Sequence, residues 1–154
     1  MSVKGRVAGI AVAGALSFAL PIVSYYEGMN LMAYIDPVGI PTICYGHTDG
    51  VKLGQTRSKA ECERLLNEEL GEAIRAVDRL VKVPMPDTRR AALGSFVYNA
   101  GAGAFARSTM LKKLNAGDIM DGCKELLKWV YAGGKKLKGL ERRRTAEAKL
   151  CLQS

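Results

Sequence analysis

A charge-free run of 17 residues, Val7–Val23 (VAGIAVAGALSFALPIV), stops four residues before Glu27. No linker separates the two, so whatever takes up the run also fixes where Glu27 and the chain after it can sit. Lys4 and Arg6 precede it, giving the basic flank and apolar stretch of a signal peptide. As a helix the run spans about 26 Å, just short of an apolar bilayer core of about 30 Å. Much of it is Ala, Gly and Ser, so a bilayer would hold it weakly. If it inserts, Lys4 and Arg6 stay in the cytoplasm and everything after Val23 lies outside. Three readings are open: a signal peptide cleaved at the small-x-small stretch Ser17-Phe18-Ala19, a permanent anchor, or a buried core helix.

The remaining chain is that of a globular protein. Its 154 residues suit one domain or two small lobes sharing a helix. A net charge of +8 favours anionic partners: nucleic acid, a lipid surface or an acidic cell-wall polymer. No RNP-type aromatic pattern or zinc-finger spacing accompanies it, so nucleic acid is not expected. The densest basic cluster, Lys135, Lys136, Lys138 and Arg142-Arg143-Arg144, reads as the solvated face of the last helix and the loop before it. Cys44, Cys62, Cys123 and Cys151 show no CxxC, which argues against a zinc site; no metal or cofactor is expected. The four are either small buried hydrophobes or, in an exported domain, two disulfides. If bridged, Cys44–Cys62 and Cys123–Cys151 is the preferred pairing, because each joins neighbouring elements within one half of the chain.

Residues 32–50 are rich in Tyr, Ile, Val, Gly and Pro, with turn signals at Asp36-Pro37, Gly39 and Asp49-Gly50, and read as a small antiparallel sheet. Ser58-Lys59-Ala60-Glu61 is a capping box. It opens a long helix marked by Leu66, Leu70, Ala73, Val77 and Leu80, which Pro84 and Pro86 stop. Helical patterns follow at about 88–99, 108–115, 118–131 and 141–151. The expected class is α+β: a small sheet lobe and a larger helical lobe joined by a long helix, with a cleft suited to a polymer.

Glu27, Asp36 nine residues on, and Thr42 six further place two carboxyls and a hydroxyl around one hairpin. Glycosidic chemistry needs one carboxyl protonated, to give a proton to the leaving oxygen. It needs the other ionised, to activate water or stabilise the cationic transition state. An apolar helix end for Glu27 and an exposed turn for Asp36 could separate the two protonation states. By itself this spacing also arises among ordinary surface residues.

The surrounding residues lift it. The run Tyr26-Glu27-Gly28, Ala33-Tyr34-Ile35-Asp36 and Ile40-Pro41-Thr42-Ile43-Cys44-Tyr45-Gly46-His47-Thr48 closely resembles the T4-type phage lysozymes, glycoside hydrolase family 24. So do Ser95-Phe96-Val97-Tyr98-Asn99-Ala100-Gly101 and Leu140-Glu141-Arg142-Arg143-Arg144. The resemblance covers about residues 25–151. It implies a T4-lysozyme-like fold and hydrolysis of the β-1,4 bond between N-acetylmuramic acid and N-acetylglucosamine in peptidoglycan. Glu27 would be the general acid, Asp36 would position or activate the attacking water, and Thr42 would help hold it. Asn99 matches a polar cleft position that touches sugar, and His47 a structural histidine. Trp129 is read as core rather than a sugar platform. The alternatives are a non-catalytic, membrane-anchored wall-binding module, or a lytic transglycosylase, which would not need Asp36.

In that family the catalytic Glu ends the first helix. Cleavage after Ala19 would leave only Leu20–Tyr26, with Pro21 near the start, which makes a poor helix. The run is therefore expected to be retained. Lys59-Ala60-Glu61-Cys62 and Tyr131-Ala132-Gly133-Gly134-Lys135 are similar to the signal-anchor-release endolysins of the phage 21 type. These imply a tethered zymogen on the periplasmic face of the host inner membrane, held through residues 7–23, that becomes a soluble periplasmic monomer on release. Residues 1–24 would be the release segment and 25–154 the catalytic domain. Within it lie a sheet lobe at about 28–57, a linking helix at 58–81 and a helical lobe at 84–154. With Val23 at the lipid face, Glu27 lies at most about 14 Å away, so its helix could not dock.

Overall fold

The structure, a computed structural model, describes the backbone of residues 3–153 and the side chains of residues 12–153. The side chains of Lys4, Arg6 and residues 7–11, which the sequence reads as the basic flank and start of the apolar run, lie outside the described residues.

Helix α1 (Val3–Glu27) takes in the whole apolar run and ends on Glu27. Among its described side chains the buried ones are Val12, Ala15, Ala19 and Val23, one stripe at three- and four-residue spacing. The stripe packs on Leu66, Leu70 and Ile74 of α2 (Lys59–Leu80) and on Ala91 of α3 (Asp87–Ala100). Each buried valine contributes about 1.5–3 kcal/mol, and the alanines let the helices approach closely. At Gly14 that approach is tight: a Cβ there would stand 2.4 Å from Asp87 Oδ2. Pro21 sits inside α1 without ending it. Gly28 does end it, with φ +67° and its N–H donating to the Ser24 carbonyl at 3.1 Å. Among the described residues no helix is long and apolar enough to cross a membrane.

The chain then enters β1 (Asn30–Ile35), which pairs antiparallel with β2 (Pro41–Cys44); Tyr34 lies opposite Thr42 and Ile35 opposite Pro41. Residues 55–57 line the other edge of β1 through Ala33 N–H to Gln55 O and Arg57 N–H to Leu31 O. Ala33, Ile43, Cys44, Val51 and Cys62 form the small core under this sheet. A Cys44–Cys62 disulfide ties the end of β2 to the first turn of α2.

Ser58 caps α2, its hydroxyl accepting from the Glu61 N–H at 3.1 Å. The far end of α2 is held by Asn115, which donates to the Leu80 carbonyl and accepts from the Lys82 N–H. α3 crosses α2 closely enough that a Cβ on Gly94 would meet Ile74 at 2.6 Å. Short helices α4 (Ala102–Ala106), α5 (Thr109–Asn115) and α6 (Ile119–Lys124) wrap Phe96, Phe105, Met110, Leu114 and Leu126. Trp129 packs edge-on against Phe96, ring centroids 5.1 Å apart. α7 (Lys138–Leu152) closes the lobe, and a second disulfide joins Cys123 to Cys151.

The helical reading of 118–131 is corrected. α6 stops at Lys124, a 3-10 turn takes Glu125–Lys128, and Tyr131–Lys136 form a hairpin, β3 (Tyr131–Ala132) with β4 (Lys135–Lys136). Gly133 and Gly134, at φ +57° and +77°, supply the two left-handed residues of its turn. The solvated reading of Arg142-Arg143-Arg144 also fails in part. Arg143 and Arg144 are buried, 3% and 2% exposed, because both turn inward onto carboxylates.

Candidate active site

Three elements bring the sequence-flagged residues together. α1 presents Glu27 as its last residue, the β1–β2 turn presents Asp36, and β2 presents Thr42. All three line one recess of about 290 Å³ together with Tyr34, Tyr98 and Asn99. A larger recess of about 690 Å³ adjoins it along α2, and the two share Gly46, Thr48 and Tyr98. The result is a continuous cleft between sheet and helical lobes.

Each carboxyl has a distinct setting. Glu27 Oε1 accepts from Arg143 Nη1 at 2.7 Å. Its Oε2 faces Gly46, where a Cβ would come within 2.7 Å of it. Gly46 (φ +75°) is thus required both by its backbone conformation and by the carboxyl against it. The motif contained this glycine, but the sequence reading gave it no role. Asp36 Oδ1 accepts from the Val38 and Ile40 N–H groups at 2.9 and 2.8 Å, an Asx-type turn that locks the carboxylate in place. Thr42 is 3% exposed, and its hydroxyl donates to the Ile40 carbonyl at 2.9 Å. With its proton committed there, the Thr42 oxygen is an acceptor toward the recess.

Two tyrosines report the field. Burial, then Glu27 and Asp36, push the Tyr34 phenol above its ordinary value, so both carboxylates act on one ring. Burial, then Glu69 and Glu27, push Tyr98 well up, and it stays a neutral donor. Its O–H donates to the Tyr45 carbonyl at 2.6 Å, strapping α3 to the end of the sheet lobe. His47 Nδ1 contacts Glu69 of α2, a second tie between sheet lobe and linking helix. Asn99 is exposed at the recess wall, and its Oδ1 accepts from Arg144 Nη2.

The residues missed by sequence reading lie behind this wall. Glu147 is fully buried. Its Oε1 accepts from Ser95 Oγ and Arg143 Nε, both at 3.2 Å, and from Arg144 Nη1 at 2.7 Å. Burial pushes the Glu147 carboxyl up, and the two guanidinium groups oppose that. Three guanidinium N–H contacts fit the carboxylate form.

Comparison with known proteins agrees with this architecture. The phage lysozyme family matches residues 24–147. A SAR-endolysin of Enterobacteria phage P21 is 48% identical over 127 residues, 82% of this chain and 77% of that protein. The endolysin of Escherichia coli O157:H7 phage FAHEc1 superposes with a TM-score of 0.78 at 35% identity, over 88% of this chain and 90% of that one. The active form of the P1 phage endolysin Lyz is 23% identical and shares the fold over 94% of this chain and 93% of its own, TM-score 0.80. Its secreted inactive form, 25% identical, matches over 68% and 74%, TM-score 0.55.

Proposed function

The chain belongs to the phage lysozyme family, and on that premise we propose that it is an endolysin whose Glu27, Asp36 and Thr42 hydrolyse the muramic acid–glucosamine bond of peptidoglycan. The convergence of these three residues on one recess carries the reading. Glu27 gives its proton to the leaving glycosidic oxygen. Asp36, pinned by two backbone N–H groups, takes a proton from water at the anomeric carbon or steadies the charge there. Thr42, its own proton held by Ile40, accepts a hydrogen bond from that water. Asn99 contacts sugar from the opposite wall, and His47 holds the sheet lobe on α2. Glu27→Gln removes lysis of chloroform-treated Gram-negative cells and leaves folding intact; a fully active variant would overturn the assignment. A reducing-end product by mass spectrometry separates hydrolysis from transglycosylase action, which yields an anhydro sugar.

Residues 1–24 act as a release segment for the catalytic domain at 25–154, whose sheet lobe is about 28–57, linking helix 58–81 and helical lobe 84–154. Inserted in the host inner membrane through residues 7–23, the segment holds the enzyme inactive on the periplasmic face. Released, it docks as α1, and the enzyme is a soluble periplasmic monomer. The support is that the run 7–23 carries no charge, and that its stripe Val12, Ala15, Ala19 and Val23 is small enough for the α2–α3 groove. Fold similarity that extends over more of the chain for the active than for the inactive P1 form fits the docked state. Measuring activity in membrane and soluble fractions before and after depolarisation tests the release.

A further inference from the structure

We propose that Glu147 is a positioning residue of this active site, the buried counter-charge that aims Arg143 at Glu27 and Arg144 at Asn99. The inference rests on Glu27 being the acid. A fully buried carboxylate between two buried guanidinium groups is a poor way to gain stability, because apolar side chains of the same volume generally do as well. What the carboxylate supplies is direction. Arg143 places Nε on Glu147, Nη2 on the Ser95 carbonyl at 3.2 Å and Nη1 on Glu27 at 2.7 Å. Arg144 places Nη1 on both Glu147 oxygens, Nε on the Trp129 carbonyl at 2.9 Å and Nη2 on Asn99. Each planar fork is held on Glu147 and a backbone carbonyl, and its remaining nitrogen reaches a residue that lines the recess. The anchors need no substrate, so the geometry stands before sugar arrives.

Glu147 also balances charge. Arg143 and Arg144 both act on Glu27 from α7. Tyr98 from α3 and Tyr34 from the sheet lobe also feel it, and Asp36 lines the same recess; Glu69 of α2, with its partner His47, acts on Tyr98, and the Tyr26 ring of α1 lies 5.9 Å from Arg143. A general acid must hold its proton until the bond breaks, and two uncompensated guanidinium groups favour the carboxylate instead. The buried Glu147 carboxylate is the counter-charge that both guanidinium groups share.

The test is the pH dependence of muramidase activity in purified, full-length, soluble protein, with folding checked by circular dichroism. Glu147→Gln keeps size and an acceptor but loses charge. Its basic limb should move to lower pH by about half a unit or more, with a larger loss of kcat at neutral than at acid pH. Glu147→Asp should restore the limb even if it melts earlier. Arg144→Gln removes a positive charge and should move the limb the other way, which decides the matter if Glu147→Gln does not fold. An equal fractional loss at every pH in the Glu147 variants, or an unmoved limb in Arg144→Gln, reduces Glu147 to a structural ion pair and overturns the proposal. A fully active Glu27→Gln would instead overturn the acid assignment beneath it.

Discussion

Ala19→Leu separates docking from insertion. Ala19 is fully buried in α1, between Ala15 and Val23 and within the cluster that includes Leu66, Leu70, Ile74 and Ala91. Leucine adds three carbons where there is no space, and overpacking of that kind costs about 1–3 kcal/mol. The proposed inserted state gains instead, by about 0.5 kcal/mol on insertion scales and up to roughly 2 kcal/mol from area transfer. The two effects add, moving the equilibrium toward lipid by about 1.5–5 kcal/mol, and each 1.4 kcal/mol is about tenfold. Ala13→Leu is the control. Ala13 is exposed on the docked helix, so leucine there gains the same in lipid without overpacking the buried cluster. The assay is the fraction of protein in the membrane pellet before and after depolarisation, with the onset of lysis. Ala19→Leu should stay in the pellet and lyse late, and Ala13→Leu should lie between it and the parent. Equal behaviour of the two variants would refute the docking argument, because lipid affinity alone would then set release.

Gly46→Ala puts a methyl 2.7 Å from Glu27 Oε2 at φ +75°. It should cost about 1–2 kcal/mol in stability and cut kcat at least about tenfold, read by melting and turbidity. Reducing either disulfide releases loops of 18 or 28 residues, worth about 3 kcal/mol each. Cys44→Ser and Cys123→Ser should therefore each melt about 6–12 °C lower. Hydrogen bonds from Lys113, then Lys128, hold the Glu125 carboxyl below its ordinary range. A depressed folded-state value means that its stabilisation is complete above the ordinary carboxylate range and is lost as pH falls through the lowered value. Lys113→Ala should flatten that part of the acid melting curve.

Much of the fold follows from local signals because local physics decides it. The Ser58 cap, the apolar periodicity of α2 and the turn residues between β1 and β2 act within a few residues. Glu27, Asp36 and Thr42 also lie within one short span, but their spacing alone is that of ordinary surface residues, and the resemblance of the motifs around them to the phage lysozymes is what singles them out. What failed depended on distant partners. The 118–131 segment carries helical spacing throughout, yet Gly122 sits against Leu114, where a Cβ would meet it at 2.8 Å, and after Lys124 the chain tightens into the 3-10 turn at Glu125–Lys128 that leads to the hairpin. Arg143 and Arg144 looked like part of a solvated basic run because charge density says nothing about direction. A signal was present: Arg144, Glu147, Ala148 and Cys151 recur at three- and four-residue spacing, a buried helix face with one acid inside it. Why that acid must be there cannot be read from α7 alone. Arg143 reaches Glu27 across 116 residues of chain only because α1 lies on α2 and α3. The short join between the apolar run and Glu27 thus makes the docking of α1 and the setting of its last carboxyl one structural event.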